Sequence, residues 1–434
     1  MLGKRPDKKG TQTSSASAVE HTAEAAPGMF HSIRAYPGVR QLWVGTLATN
    51  TAFWMYQIAL GWLALIMTDS PGFVGLSGFF AGIPIFIFAL PSGVIIDRFS
   101  RRNVLMCAQV AIMIVASLFA VMIYTDTINR FWILALAFAY GTSMAFVFPT
   151  RQAIIPSLVE RKDLGNAVAL NAAGQNATRV FGPSLAGVLI ATIGISGTFA
   201  VAAALQILAL ASTARLPRIA PVERSGARPR LFASLTEGLM YVARDPVLTG
   251  LILMATIATV FIMPYLNLMP VFARDELNVG SGGLGLLMAC AGIGSVAGAL
   301  GVAAYRRLVT APGFQVIACG GFALVVLAFS QTPWVWPAAI ILVLSGLVSA
   351  AFLAINNTVL VMRAPEEVRG RVLSINMLTW GLLPVGQLPI GILAEQIGAP
   401  HATTVACLIA VVLVLTIAWR IPHLRPGSAR MDDD

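Results

Sequence analysis

Long apolar runs recur along the whole chain, and they decide most of what it can become. Each is close to the ~20 residues that a helix needs to cross a bilayer's hydrocarbon core. Runs 103–124 and 402–419 contain no Asp, Glu, Lys or Arg at all. Such runs are continuous, whereas barrel strands alternate apolar and polar residues. Backbone groups in hydrocarbon must bond internally, which leaves the α-helix as the spanning structure. Charged residues make up 11% and hydrophobic residues 57% of the 434 positions. That is too much apolar surface for one soluble core, since such cores stop growing near ~250–300 residues. The fold class predicted is an all-α membrane protein.

Twelve spans are expected: 42–67, 73–96, 103–124, 131–149, 166–190 and 195–214, then 247–272, 283–305, 314–330, 334–362, 372–397 and 402–419. This layout gives two six-helix bundles, 41–214 and 247–420, with a linker at 215–246 between them. Residues 215–230 are basic and carry Pro217, Pro221 and Pro229. Leu231, Leu235, Leu239 and Val242 then recur at helical spacing, as in an amphipathic helix on a membrane surface. Residues 1–40 read as a mostly disordered cytoplasmic tail and 421–434 as a second tail. The first 28 residues are polar, with no apolar core of a signal peptide.

Charge orients these spans. Lys and Arg of short loops favour the cytoplasmic side. With the N-terminus cytoplasmic, all but three of the 29 Lys and Arg fall on that side. Arg130 and Arg274 lie opposite, and Arg179 lies within a span. An even number of spans places both termini together, so both are expected in the cytoplasm. The localisation expected is therefore a multi-pass protein of the cytoplasmic (inner) membrane. The formal charge of +10 belongs to these loops, so no nucleic-acid face is expected. Cys107, Cys290, Cys319 and Cys407 stand alone in apolar runs and read as small hydrophobes. No nucleophile–base pair or ligand cluster appears, so no enzyme, cofactor or metal is expected.

Loop 93–105 holds Gly93, Asp97, Arg98, Arg101 and Arg102 in a G-x3-D-R-x2-R-R pattern. Gly93 permits a close helix approach. The arginines can pair with acids or with helix C-termini across a short turn. Such a cluster can latch one conformation, with Arg151 at the end of span four beside it. For Arg101 and Arg102, a pure orientation signal carries equal weight. Gly301-x3-Tyr305-Arg306-Arg307 repeats the pattern after span eight, with Tyr305 in place of the acid.

This loop pair resembles the signature of the major facilitator superfamily, whose two six-helix halves are parallel repeats. Pro149-Thr-Arg151-Gln152-Ala153, Pro156, Leu158-Val159 and Asn166-Ala167 are similar to the subgroup of enterobactin exporters and macrolide-efflux proteins. So are Thr68-Asp-Ser-Pro71 and Arg369-Gly-Arg371-Val. The resemblance implies export of a bulky amphipathic small molecule, a siderophore or drug, by proton exchange. Alternatives are a lipid or lysolipid transporter and a non-transporting sensor of the same fold. The expected partners are the small-molecule substrate, protons as coupling ion and the lipid bilayer, with the chain a monomer.

Ionisable groups at membrane depth are costly and mark function. Arg179 is the one clear case. Asn171, Gln175 and Arg179 are spaced by four, so they form one polar stripe. Gly182-Pro183-x2-Ala186-Gly187 after them is similar to the antiporter signature of drug exporters. Arg179 can bind a polar or anionic substrate, or it can bond carbonyls and fix span five. No carboxylate lies near a span centre; Asp69 and Glu395 sit at outer ends. That leaves proton coupling open, with Asp97 titrating instead or a facilitator as alternatives. Glu366 and Glu367 are possible cross-half partners for the loop arginines. The resemblance implies cavity walls from spans one, four, seven and ten. The candidates there are Asn50, Trp54, Gln57, Tyr140, Tyr265, Asn267, Asn356 and Asn357, with Trp380 and Gln387 from span eleven. Interhelical bonding is an equal reading for each one.

Overall fold

In the computed structural model the described residues are 30–217, 231–304 and 313–424. The expectations for the N-terminal tail, for 218–230, for Tyr305, Arg306 and Arg307, and for the last ten residues lie outside them. The regular elements among the described residues are all helical. They are α1 (His31–Ala35), α2 (Pro37–Thr68), α3 (Pro71–Arg98), α4 (Arg101–Tyr124), α5 (Arg130–Ile154), α6 (Leu164–Ala214), α7 (Leu231–Arg244), α8 (Pro246–Ile257), α9 (Met269–Val271), α10 (Gly280–Ala304), α11 (Phe314–Ser330), α12 (Val335–Arg363), α13 (Glu366–Trp380), α14 (Leu383–Ile397) and α15 (Ala399–Arg420), with short 3-10 and π turns between some of them. Ten helical segments are long and apolar enough to cross a membrane, and α11 is a shorter apolar helix.

Helix starts follow from local chemistry. The first amides of a helix lack intrahelical acceptors, and side-chain oxygens supply them. Ser70 accepts from the Phe73 amide at 3.0 Å, Asn129 from Trp132 at 3.1 Å, and Asp245 from Val247 at 2.8 Å. Pro71 and Pro246 occupy first-turn positions, where a missing N–H costs nothing.

Three spans depart from the simple layout. Helix α6 runs for 51 residues, about 77 Å at 1.5 Å per residue, more than twice a bilayer core. Gly194 interrupts it at φ 75 and ψ 177, a backbone region that glycine alone takes without strain. The expected spans 166–190 and 195–214 are thus its two arms, joined by a bend. The seventh span is α8, a π turn (Ala258–Ile262), a 3-10 turn (Met263–Leu266), α9 and a second π turn (Phe272–Glu276). Pro264 and Pro270 each remove a backbone donor there. The eleventh is split into α13 and α14.

The two halves meet along two seams, α3 against α14 and α6 against α10. A Cβ on Gly187 would strike the Gly285 backbone, and one on Gly391 would lie 2.7 Å from the Gly75 Cα. Small residues thus let backbones touch where lipid offers no hydrophobic drive. Within the first half, Gly174 and Gly182 admit the Trp43 and Trp54 side chains, which brings α6 against α2. On α7, Val242 is buried and Leu239 exposed, and Gly238 packs on Arg371. Cys319 and Cys407 are buried, as small hydrophobes should be, but Cys107 is exposed and Cys290 half-buried. Those two sit on helix faces that the packing leaves open.

Candidate functional site

At the basic end, the motif arginines cap helices. Arg101 donates to the Ala153 carbonyl at 2.6 Å and to Ser157, and Arg102 donates to the Ala214 carbonyl. Ala153 and Ala214 belong to the last turns of α5 and α6, whose carbonyls lack partners and carry the negative end of the helix dipole. Both bonds stay within the first half. Asp97 and Arg98 are exposed. Gly93 does not admit a close neighbour among the described residues: nothing lies within 4 Å of where its Cβ would be. Arg151 is buried, not at an open latch. It donates to the Gly45 carbonyl at 2.9 Å and to the Thr49 hydroxyl, which donates on to Gln206 at 3.2 Å. This network ties α5, α2 and α6 together. In the second half, Arg363 pairs with Asp245 at 3.1 Å and Arg371 with Glu237 at 2.9 Å. The side chains of Glu366 and Glu367 lie outside the described residues.

The α1 segment is fastened at the same end. Tyr36 donates to the buried Asp163 carboxylate at 2.7 Å, and the Ser32 amide donates to Asn166 at 3.1 Å. The bond to Asp163 holds the Tyr36 phenol above its ordinary pKa, because ionisation would set two negative charges face to face.

The opposite end joins the halves. Arg274 pairs with Asp69 and donates to the Leu65 carbonyl at 3.4 Å. Glu395 accepts from the Ser70 hydroxyl and from the Gly72 amide at 2.9 Å. Asn267 donates to the Val74 carbonyl at 3.1 Å. These are the cross-half hydrogen bonds among the described contacts, and all cluster here. Sequence reasoning placed Asp69 and Glu395 at outer ends without pairing them. Arg274 also pairs with its neighbour Asp275, so the available signal was scarcity alone: Arg274 is one of two basic residues expected on that side.

Between the ends stands Arg179. Its guanidinium carbon lies 5.7 Å from the centroid of the Trp54 ring, a favourable cation–π placement. Gly182, nearly one turn on, lets α2 approach and sets that ring. Among the described residues no carboxylate pairs with Arg179. Across the seam, buried Tyr265 is within electrostatic reach of Arg179 and shares a hydrogen bond with Ser345 at 3.1 Å. Asn50, Trp54 and Gln57 lie on one face of α2, with Asn50 buried and the other two half-buried. Gln175 is half-buried a turn before Arg179, and Asn171 is buried.

Other candidates do not join this group. Tyr140 is stacked on Tyr56, ring centroids 3.5 Å apart, inside a core with Phe119 and Phe199. Asn267 is spent on the seam. Asn356 donates to Asn376 at 3.4 Å, and Asn376 donates to Asn357 at 2.9 Å, an amide chain linking α12 to α13. Gln387 is buried and Trp380 exposed.

The chain resembles known proteins over almost its full length. A family model described as a transmembrane secretion effector matches residues 34–432. The multidrug efflux pump Tap of Mycolicibacterium fortuitum is 29% identical over 391 residues, covering 85% of this chain and 91% of that protein. The enterobactin exporter EntS of Citrobacter koseri is 24% identical, covering 78% and 81%. Among solved structures, a bacterial homologue of the human lysosomal transporter Spinster in an inward-facing, unoccupied conformation superposes with a TM-score of 0.67 at 16% identity, covering 91% and 99%.

Proposed function

The chain belongs to the transmembrane secretion effector family of the major facilitator superfamily, and from that premise we propose that it exports a bulky amphipathic small molecule by alternating access. It is a multi-pass membrane transporter and not an enzyme. In this reading the two arms of α6 count as separate spans, α11 counts as a span, and twelve spans form six-helix halves. Both termini then lie in the cytoplasm of a bacterial cell, in its inner membrane, and the monomer is the working unit. The named activities of Tap and EntS support efflux of drugs or siderophores.

One observation carries the mechanism. Hydrogen bonds between the halves gather at the weakly charged end, while the arginines of the basic end bond within their own half. Basic loops are cytoplasmic by the positive-inside rule, so this state faces inward. Substrate enters from the cytoplasm, meets the Trp54–Arg179 face near midplane, and leaves when the halves rock. Asp97, Arg98, Arg101 and Arg102 then form the counter-latch that holds the cytoplasmic side shut.

Purified protein in proteoliposomes under a defined pH gradient, offered siderophores, macrolides and dyes, tests the activity. Protein-dependent movement of one class is expected, and none for any class would refute the reading. Asp97→Asn should cut transport several-fold and alter cytoplasmic cysteine labelling, since removing the carboxylate's charge shifts the balance between the two states. Unchanged rate and labelling would remove the counter-latch.

A further inference from the structure

Arg179 poses a charge problem that the exporter reading does not by itself resolve. An arginine stays protonated at any physiological pH. This one is half-buried at midspan, its one described aromatic partner is Trp54, and no described carboxylate neutralises it. Arg151 of α5, the next cation packed against α2, is likewise without a described acid and is satisfied by a carbonyl and a hydroxyl of α2. None of the 19 Asp and Glu of the chain lies near a span centre, and none of the four His does, His401 being in the first turn of α15. The Trp54–Arg179 face is thus fixed as positive, and the sequence places no acid or histidine near a span centre to carry a proton through the bilayer core.

Resting on the exporter reading, we propose that the substrate is an amphipathic anion, and that the membrane potential drives its export without proton exchange. A carboxylate, sulfonate or phenolate takes two parallel donors from the guanidinium. The apolar body of the same molecule lies along the Trp54 face, among mainly hydrophobic walls. Binding supplies the counter-charge that the protein withholds, so the occupied cavity is the better compensated one. A cation meets repulsion at the same point. The energetics follow from sign alone. A monovalent anion leaving a negative cytoplasm moves down the potential, which sustains a gradient of about fifty-fold per 100 mV. Proton exchange is then unnecessary, and the missing carboxylate ceases to be an anomaly.

Dansyl taurine and dansyl choline share one aromatic body and differ in the sign of their charge. Proteoliposomes of the full chain, at equal pH on both sides, are given a potassium diffusion potential of either polarity with valinomycin. Dansyl taurine should accumulate at least tenfold over protein-free vesicles when the interior is positive, and not when it is negative. Dansyl choline should stay at the protein-free level in both. Arg179→Gln should lower the dansyl taurine flux at least tenfold, and Arg179→Lys should retain part of it. Arg179→Glu should turn the preference towards dansyl choline, a reversal that a merely structural arginine would not give. Thermal unfolding of each variant checks its fold, and Arg179→Gln decides the matter should the glutamate variant not fold.

The inference is overturned if dansyl choline is preferred, if flux needs a pH gradient, or if folded Arg179→Gln transports the anion normally. Each of those outcomes leaves the exporter reading standing. If neither probe moves under either polarity or under a pH gradient while a siderophore, macrolide or dye does, this inference falls and the exporter reading stands; if none of them moves, both fall.

Discussion

Helices α3 and α10 occupy corresponding places in the two halves, and each has two unlike ends. Towards the weakly charged end, Gly75 of α3 meets Gly391, and Gly285 of α10 meets Gly187, backbone against backbone. Towards the basic end of the same helices, Gly93 and Gly301 have nothing within 4 Å of a would-be Cβ. The residue type is the same at both ends, so glycine alone does not make a contact. What differs is whether a described residue of the other half stands against the glycine. Packed cores are bistable and do not deform continuously, so the vacant glycines mark the surface that the other state would close. The two ends are alternatives, and perturbing each in turn tests that claim.

The largest effect is expected from Gly187→Leu. Its side chain would be driven into the Gly285 backbone and the Ser281 carbonyl, and neither can step aside as a flexible side chain would. The closed end should be unable to form. Transport should fall below a tenth, and a cysteine placed at Gly93 should become shielded from cytoplasmic reagent. Normal transport with an unshielded Gly93→Cys would break the comparison outright.

A smaller effect should follow from loosening the same end without wedging it. The Arg274–Asp69 pair is partly solvated, and such pairs contribute roughly 1 kcal/mol or less. Arg274→Ala should therefore shift Gly93→Cys labelling two- to fivefold towards the shielded state. Glu395→Gln should act more weakly, since an amide oxygen can still accept from Ser70 or from the Gly72 amide. An equal or larger effect of Glu395→Gln would assign the closed end to the carboxylate instead of to Arg274.

Much of this was legible in the sequence, and the omissions have a common cause. Hydropathy and loop charge report depth in the bilayer, so the apolar segments and the helix-capping role open to Arg101 and Arg102 could be read directly. Neither quantity reports which helix is a neighbour. Ser70 and Glu395 are separated by 325 positions, and neither neighbourhood in the sequence names the other. Tyr140 looked like a cavity residue because its span supplies cavity walls, yet its ring faces Tyr56 inside one half. Gly194 carries the bend between the two arms of α6, in the gap left between the expected spans 166–190 and 195–214. Gly93 was read as a contact from its type, while its contact depends on conformational state. Arg179 escaped this ambiguity because a charge at midspan is costly in any arrangement.

The smallest effect is expected from Arg371→Ala, and it bears on the comparison because it should do so little. Arg371 pairs with Glu237 at 2.9 Å, with both side chains about half exposed. The bond joins α7, in the linker, to α13 of the second half at the basic end. It does not cross a seam, so its energy is the same whichever end is closed. A ligand or mutation shifts a two-state equilibrium only through a difference between the states. Transport by Arg371→Ala should stay within twofold of the parent, with Gly93→Cys labelling unchanged, although α7 docks less firmly and protease should cut nearer to it. Were this variant to move the labelling as far as Arg274→Ala, bonds within one half would belong to the switch. The contrast between the two ends would then lie in how each half is built internally as well as in how the halves meet.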